Sequence, residues 1–458
     1  MVGTSFLRRV SLHGFRGKAS SQKLDEPTLV LDDQTSDTAP VTPETQTVLL
    51  LHGARQPYEL TENHPVPLFR DDREVLVRTQ AIGLNPMDWK APVGKDVHHV
   101  IVISTDYRDI RKAAYQQYVV APDYNTVRLP PALSPEEGAS LGVAFVVAAI
   151  SLGLCIGLDF TSVLNGPDLH TLLRQLPPDT IAPDIQKECL TSIPTHERAQ
   201  PGDWLAIWGG SSTSANLTLQ LARLAGLRTI AVADKAKHGL WLSSHRTVRP
   251  DLLVDSHDPA RAVAIIRANV NGNGNGNGNG NGNGNGNGKL RFAADTRGRE
   301  SAGWLLEALR RPGGGVGKEG EGVVGVGVVG VVEGAEKGKG LVLLSEEEGA
   351  LPAAAREAED SAAAEPVSFS AHLIGLTGLP KQPAPDGVVY HTVPIKLFHE
   401  VPAVGQALVE WLERLLQEGL VTPPNIIDVQ RGLGSVNQGL DRMRRGEISG
   451  GKLVVRVD

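Results

Sequence analysis

The chain has 458 residues, more than one hydrophobic core commonly supports, so we expect two domains with additional unstructured sequence. Its 45 Lys and Arg residues and 52 Asp and Glu residues give a net charge of -7, and no long basic run is present. This balance argues against a nucleic-acid partner. The two cysteines, Cys155 and Cys189, form no C-x-x-C pair, which argues against a disulfide framework and indicates a reducing compartment.

The N-terminal 46 residues are predicted to be a disordered extension or a mitochondrial transit peptide. Basic residues and serines precede the first acid, Asp25, as in transit peptides, but a disordered basic tail has the same composition. We therefore expect a cytoplasmic protein, with a mitochondrial location as the alternative. Glycines interrupt the most apolar stretch, residues 139–158, so no membrane span is predicted.

The first ordered third of the chain is predicted to be rich in β-strands. Residues 47–51 are a threonine followed by four apolar residues, and residues 74–82 alternate in part and carry β-branched side chains.

From residue 201 the pattern alternates between strands and helices. An apolar strand at 204–208 precedes a turn of small residues, a helix at 213–225 and a second strand at 229–233. Further strands are predicted at 252–254, 290–294 and 371–375, with helices at 260–269 and 301–309 between them. This alternation predicts an α/β fold with a doubly wound parallel sheet.

Two insertions are predicted inside this second domain. Residues 271–288 consist of nine Asn-Gly dipeptides, and residues 313–366 are rich in Gly, Glu and Ala. Neither segment has a consistent amphipathic period, so both should loop out from the surface.

The turn between the strand at 204–208 and the following helix predicts a dinucleotide site. Small residues let a pyrophosphate approach the helix N-terminus, whose free N–H groups favour an anion. The usual glycine spacing is only partly kept, and a capped helix without a ligand is the alternative. The predicted phosphate-binding residues are Gly209, Gly210, Ser211, Ser212, Thr213 and Ser214.

The end of the second strand carries charges of both signs. Asp234 stands where an acid would hold the ribose 2′-hydroxyl of NADH, whereas Lys235, Lys237 and His238 suit the 2′-phosphate of NADPH. The basic cluster favours NADPH, and a solvated turn is the alternative without a ligand.

These motifs, in their order and spacing, resemble the medium-chain dehydrogenases/reductases of the zinc-free quinone reductase and enoyl reductase type, most of all the fungal trans-acting enoyl reductases. The matching segments are residues 83–90, 141–148, 208–215, 371–378, 393–398 and 446–455.

The resemblance implies a GroES-like β-rich catalytic domain at residues 47–195, completed by residues about 400–458, and a Rossmann domain at 196–399. It implies NADPH-dependent reduction of an activated C=C or C=O bond in a small hydrophobic or carrier-bound substrate, by a monomer or homodimer. Further cofactor contacts are implied for Pro86, Asp88, Trp89, Lys90, Leu376, Thr377, Leu453 and Val454. Substrate contacts are implied for Leu141, Gly142, Val143, Ala144, Phe145, Val146, Val147 and Ala148.

Zinc-dependent relatives place a cysteine ligand where this chain has Asn85, so the resemblance implies a reductase without zinc. Reduction then needs a donor for the substrate oxygen, and the candidates are Lys90, Asn85 and Tyr115. A surface lysine, a turn asparagine and a core-edge tyrosine are the alternatives. His391 and His399 have no acid at ligand spacing and are predicted to be structural, as are both cysteines.

The segment between Lys90 and Tyr107 is shorter than in these relatives, so strands of the catalytic domain are predicted to be missing; an exon lost from the gene model is the alternative explanation. The alternative function is therefore a catalytically degenerate NADP(H)-binding protein.

Overall fold

The computed structural model describes residues 2–5, 42–53, 56–85, 98–106, 108–271, 290–310 and 369–457. They belong to one compact unit formed by Met1–Arg310 and Phe369–Asp458. The predicted insertion at 313–366 and all but the first residue of the Asn-Gly tract lie outside the described residues. The domain boundaries given above stay predictions.

Strands and helices alternate from residue 204 onward, whereas strands predominate before residue 129. The strands are β1 (Val2–Ser5), β2 (Thr45–Leu50), β3 (Glu59–Pro65), β4 (Glu74–Gly83), β5 (His98–Val102), β6 (Tyr118–Pro122), β7 (Thr126–Arg128), β8 (Trp204–Trp208), β9 (Arg228–Ala233), β10 (Leu252–Asp255), β11 (Phe292–Asp295), β12 (Ala371–Gly375), β13 (Val388–His391), β14 (Ile426–Arg431) and β15 (Lys452–Arg456). The α-helices are α1 (Pro135–Ile150), α2 (Leu169–Arg174), α3 (Pro183–Leu190), α4 (Thr213–Leu224), α5 (Lys235–Ser244), α6 (Pro259–Asn271), α7 (Arg299–Leu309), α8 (Leu397–Glu400), α9 (Pro402–Gln417) and α10 (Val436–Arg444). Short 3₁₀ turns occur at Ile110–Lys112, Asp123–Asn125, Pro178–Thr180, Thr195–Glu197 and Leu433–Ser435, and a π-helical turn at Ser151–Cys155.

The predicted parallel sheet is confirmed. Its strand order is β10-β9-β8-β11-β12-β13, and every neighbouring pair is parallel. Leu205 and Ile207 of β8 pack with α1 and α4 on one face, whereas Trp204, Ala206 and Trp208 pack with α6 and α7 on the other. Because both faces are covered, the strand is apolar throughout.

A second, mainly antiparallel sheet combines segments from both ends of the chain. Its order is β14-β15-β4-β1-β5-β7, with β6 also pairing with β4, and only β14 and β15 run parallel. Strand β1 lies within the segment predicted to be a disordered extension or a transit peptide, and it pairs antiparallel with β4 and β5. Hydrogen bonds to two neighbouring strands explain why β1 is an ordered strand although its local sequence is polar.

Helix α1 joins the two sheets at the centre of the protein. Ser134 and Glu137 form a capping box at its start, and Pro135 occupies the first turn. A Cβ atom on Gly83 of β4 would lie 2.1 Å from the Ala139 carbonyl oxygen, so the close approach of strand and helix requires glycine.

Together with its π-helical turn, α1 forms one 21-residue helix that is long and apolar enough to cross a membrane, contrary to the sequence-based expectation. Within the protein, 89% of its most apolar window is buried, which is what the core helix of a globular protein shows.

Candidate functional site

The carboxyl ends of the central strands of the parallel sheet define a crevice. The chain reverses its direction of travel across the sheet between β8 and β11, which lie side by side. Trp208 at the end of β8 pairs with Asp295 at the end of β11, and Asp295 pairs with Gly375 of β12. Ligands of open α/β sheets bind at such a switch point.

The turn after β8 is held close to its neighbours by two glycines. The amides of Gly209 and Gly210 both donate to the Val232 carbonyl oxygen, at 3.0 and 2.9 Å. Gly209 has φ +80°, and a Cβ there would lie 2.2 Å from the Thr296 hydroxyl oxygen. A Cβ on Gly210 would lie 2.8 Å from the Cβ of Ala231. Only glycine fits this turn at either position.

Ser212 begins helix α4 at this turn. Its hydroxyl oxygen accepts a hydrogen bond from the Ala215 amide at 3.1 Å, and its hydroxyl donates to Thr296 at 3.0 Å. The first amides of a helix have no acceptor within the helix, and they carry the positive end of its dipole. Ser211, Thr213 and Ser214 are partly exposed here. The turn at Gly209 and Gly210 and the N-terminus of α4 together form a site that fits a pyrophosphate.

Thr296 is a site residue that the sequence did not single out. Its hydroxyl lies 3.1 Å from the carbonyl oxygens of Trp208 and Gly209, so it fixes the turn from the neighbouring strand. Asp295 before it is fully buried, and burial raises the pKa of its carboxyl group, although that group accepts hydrogen bonds from the Arg297 and Gly298 amides. The sequence offered one signal for Thr296, namely that it follows a segment predicted to be a parallel strand.

The end of β9 holds the charges predicted to contact the cofactor ribose. Asp234 caps α5, and a hydrogen bond from the Lys237 amide keeps the pKa of its carboxyl group low. The Lys237 ammonium lies 3.3 Å from this carboxylate and is 71% exposed, and Lys235 is exposed as well. His238 lies 2.9 Å from the Ser449 hydroxyl, so the segment before β15 borders this end of the crevice.

Leu376 and Thr377 follow β12 at the same edge of the sheet. The Leu376 amide donates to the Asp295 carbonyl oxygen at 2.9 Å, and Thr377 is exposed. Their predicted position beside the crevice is therefore consistent with the structure.

Asn85 lies two residues after the end of β4 and contacts a buried lysine. The Lys452 ammonium donates to the side-chain oxygen of Asn85, and Lys452 is only 5% exposed. The sequence did not identify Lys452, although a cation at the start of an apolar strand was a usable signal. The predicted residues Pro86, Asp88, Trp89 and Lys90 lie outside the described residues.

Three other predicted contacts fall in the core. Tyr115 is fully buried, and its ring packs edge-on against Tyr58 with centroids 5.0 Å apart. The side chains of Leu453 and Val454 are also fully buried, and the Leu453 carbonyl oxygen accepts from the Leu84 amide. Strand alternation places these two side chains on opposite apolar faces, and the contact of these residues with the cofactor stays a prediction.

The predicted substrate-binding stretch, Leu141 to Ala148, lies within α1. Its members Leu141, Gly142, Ala144, Phe145, Val146 and Ala148 are buried, and only Val143 and Val147 are partly exposed. An apolar cleft and a core helix have the same composition, so the sequence did not distinguish them. Val143 and Val147 are thus the more accessible members of this stretch, and its contact with a substrate stays a prediction.

His391 and His399, which have no acid at ligand spacing in the sequence, each lie near an acid in the fold. Nδ1 of His391 lies 2.7 Å from a carboxylate oxygen of Glu188, and Nε2 of His399 lies 3.9 Å from Asp106. Glu188 is 203 residues away in the chain, so ligand spacing in the sequence did not reveal it.

Solved reductase structures share this fold. The CurK enoyl reductase superposes with a TM-score of 0.53 at 12% identity, covering 90% of this chain and 99% of that protein. A mycobacterial protein solved in complex with NADPH gives the same TM-score, identity and coverage. The chain therefore shares the predicted α/β fold with these solved structures.

Sequence relatives are fungal trans-enoyl reductases, which confirms the predicted resemblance. Trans-enoyl reductase caaB of Aspergillus niger is 27% identical over 257 residues, which are 49% of this chain and 61% of the relative. Trans-enoyl reductase mycC of Thermothelomyces thermophilus is 26% identical over 241 residues, covering 47% and 59%. The chain thus spans about three fifths of the length of these two relatives. No family model matches the chain.

Proposed function

We propose that the chain is an oxidoreductase that uses NADPH, without a catalytic zinc ion, to reduce an activated C=C or C=O bond. Its substrate would be a small hydrophobic or carrier-bound molecule. One observation carries the proposal: the glycine turn at the switch point, where a Cβ on Gly209 would meet Thr296 at 2.2 Å. The names of the sequence relatives support the enoyl reductase class.

The chain's own residues have distinct roles in this proposal. Gly209 to Ser214 and the start of α4 would hold the pyrophosphate, and Lys235 and Lys237 would hold the 2′-phosphate. Thr377 would border the nicotinamide at the end of β12. When bound, the cofactor supplies a hydride.

The Asn85–Lys452 pair takes the place of a catalytic metal in the proposal. The Asn85 side chain already accepts a hydrogen bond from the buried Lys452 ammonium, which supplies a positive charge at this point. A donor in a poorly solvated site stabilises charge that develops on a substrate oxygen. Lys452 would therefore position Asn85 and favour polarisation of the substrate carbonyl group.

A second candidate is an NADP(H)-binding protein without turnover. The burial of Tyr115 and of six residues of the predicted cleft stretch favours it, because these side chains offer nothing to a substrate.

A two-stage experiment separates these candidates. NADPH is first titrated into the full chain while tryptophan fluorescence is followed, since Trp204 and Trp208 are the first and last residues of β8 and Trp208 lies at its crevice end. NADPH consumption is then measured with an α,β-unsaturated ketone, an enoyl thioester and a quinone, with and without a chelator. Consumption unaffected by the chelator supports the reductase; binding without consumption supports the second candidate. Absence of NADPH binding would overturn both.

A further inference from the structure

A cysteine, a glutamate and a histidine from three distant segments meet beside the edge of the parallel sheet. Cys155 ends the π-helical turn after α1, Glu188 lies on α3, and His391 ends β13. Their ligand atoms all lie within 4.8 Å of one another, and Nδ1 of His391 is 2.7 Å from the Glu188 carboxylate. The cluster contains none of the residues proposed to bind NADPH.

The three residues combine deep burial with one route to solvent. Cys155 and His391 are fully buried, whereas the Glu188 side chain is 18% exposed. A thiol, an imidazole and a carboxylate are costly to bury unless each has a partner. An ion would enter past the carboxylate.

A second layer of polar groups orients His391. Its Nε2 lies 2.9 Å from Nδ1 of His372, and Nε2 of His372 lies 3.3 Å from the carboxylate of Glu197. Glu197 also accepts a hydrogen bond from the Ser370 amide at 2.9 Å. Histidines that bind metals commonly donate their other N–H to such an outer partner.

Counting protons along this chain of contacts shows a shortage. Three contacts connect these residues in series: Glu188 to His391, His391 to His372, and His372 to Glu197. Each contact needs one proton between its two facing atoms. Two neutral imidazoles supply only two. A cation between Glu188 and Nδ1 of His391 would take the place of the third proton.

We propose that Cys155, Glu188 and His391 bind a divalent transition-metal ion of the zinc type, with His372 and Glu197 as the outer layer. The cation bridges Glu188 and Nδ1 of His391, which frees both imidazole protons for the remaining contacts. His391 then donates to His372, and His372 donates to Glu197. Sulfur, nitrogen and oxygen ligands suit Zn²⁺, and three protein ligands leave one tetrahedral position for water.

Binding at this site is coupled to proton release. Cysteine binds a metal ion as the thiolate, so the Cys155 thiol proton leaves when the metal binds. The other ionisable groups near the cluster are Cys189, Lys396, Arg291 and Asp203. Affinity should therefore increase with pH, by about tenfold per unit where one proton is released.

The test uses Co²⁺ as a spectroscopic substitute for Zn²⁺. The chelator-treated, folded full chain is titrated with Co²⁺, and we expect one equivalent to bind with a near-ultraviolet thiolate-to-cobalt band that Zn²⁺ abolishes. C155S should lose the band. C189S is the matched control, because Cys189 is the other buried cysteine and lies outside the three-residue cluster, and it should retain the band.

A further variant covers the case in which C155S fails to fold. E188Q changes a partly exposed side chain without changing its size, and it should weaken Co²⁺ binding at least tenfold while circular dichroism stays unchanged. No stoichiometric Co²⁺ uptake by the folded wild-type chain, a band that persists in C155S, or unchanged affinity in E188Q would overturn the proposal. None of these results depends on NADPH turnover, so the reductase proposal is tested separately.

Discussion

The two large sheets bring together their halves of the candidate site in different ways. In the parallel sheet, the phosphate turn directly follows β8, and its partner Val232 lies within the next strand along the chain. In the antiparallel sheet, β4 pairs with β15, and the Asn85–Lys452 contact joins residues 367 positions apart. The phosphate-binding half is thus local in sequence, whereas the proposed catalytic half exists only through tertiary pairing.

This difference separates two kinds of failure. A change in the phosphate turn should remove cofactor binding and leave the fold intact. A change where β4 meets α1 should destabilise the whole molecule, because that contact connects the two sheets. The following predictions test this contrast, from the largest expected effect to the smallest.

Gly209→Val should abolish NADPH binding. Its side chain would collide with Thr296, and φ +80° disfavours a β-branched residue. We expect affinity to fall about a thousandfold, roughly 4 kcal/mol, by fluorescence titration. Gly303→Ala in α7 is the control, since no heavy atom of the described residues lies within 4 Å of the added methyl group. Tight NADPH binding by a folded G209V variant would refute the proposed role of this turn in binding the pyrophosphate.

Gly83→Ala should lower the free energy of unfolding by about 3 kcal/mol, at the upper end for overpacking. The new methyl group would lie 2.1 Å from the Ala139 carbonyl oxygen, and backbone cannot move aside as a side chain can. Denaturant unfolding measures the change. Gly434→Ala adds a methyl group with no described neighbour within 4 Å and should be nearly neutral. Equal stability of the two variants would contradict the tight contact between β4 and α1.

Acidification should destabilise the protein through His170, which lies on α2 in the segment between the sheets. Burial lowers the pKa of His170 from 6.5 to about 4, and its Nε2 donates to the Leu154 carbonyl oxygen. The folded pKa is depressed, so its contribution is present above pH 6.5 and is lost as pH falls toward 4. Between pH 7 and pH 5 we expect a loss of about 2 kcal/mol.

His170→Gln isolates this contribution, because glutamine can still donate to Leu154 but does not titrate. Unfolding curves at pH 7 and pH 5 should show a smaller difference for H170Q than for the wild type. An identical difference in both proteins would assign the acid sensitivity to other groups, such as His372, whose pKa is also lowered.

Lys237→Ala should produce the smallest effect. An exposed lysine that also pairs with Asp234 contributes modestly, so NADPH affinity should fall about threefold to tenfold while NADH affinity is unchanged. High salt should reduce the difference between wild type and variant. Lys187→Ala, which removes an exposed lysine on α3, serves as the control. Equal losses for NADPH and NADH would argue against a 2′-phosphate contact.

Sequence patterns predicted the parallel sheet closely. The predicted strand at 204–208 matches β8, and the predicted helix at 213–225 differs from α4 by one residue. Strands buried on both faces are continuously apolar, and a helix that starts at a cap has a local signal, so both are readable. The edge strand β13 and the short helices α2 and α3 were not predicted, because each is short and lacks a distinct period.

The sequence by itself determined the alternation of strands and helices, the glycine turn at Gly209 and the charges after β9, because neighbouring residues produce these features. Tertiary structure alone decided that Lys452 contacts Asn85, that Leu453 and Val454 are core residues, and that Glu188 faces His391. Each of these contacts joins segments far apart in the chain, and no periodicity or spacing within one segment encodes such a meeting. The phosphate turn could therefore be predicted from sequence, whereas the Asn85–Lys452 pair and the Cys155–Glu188–His391 cluster required the fold.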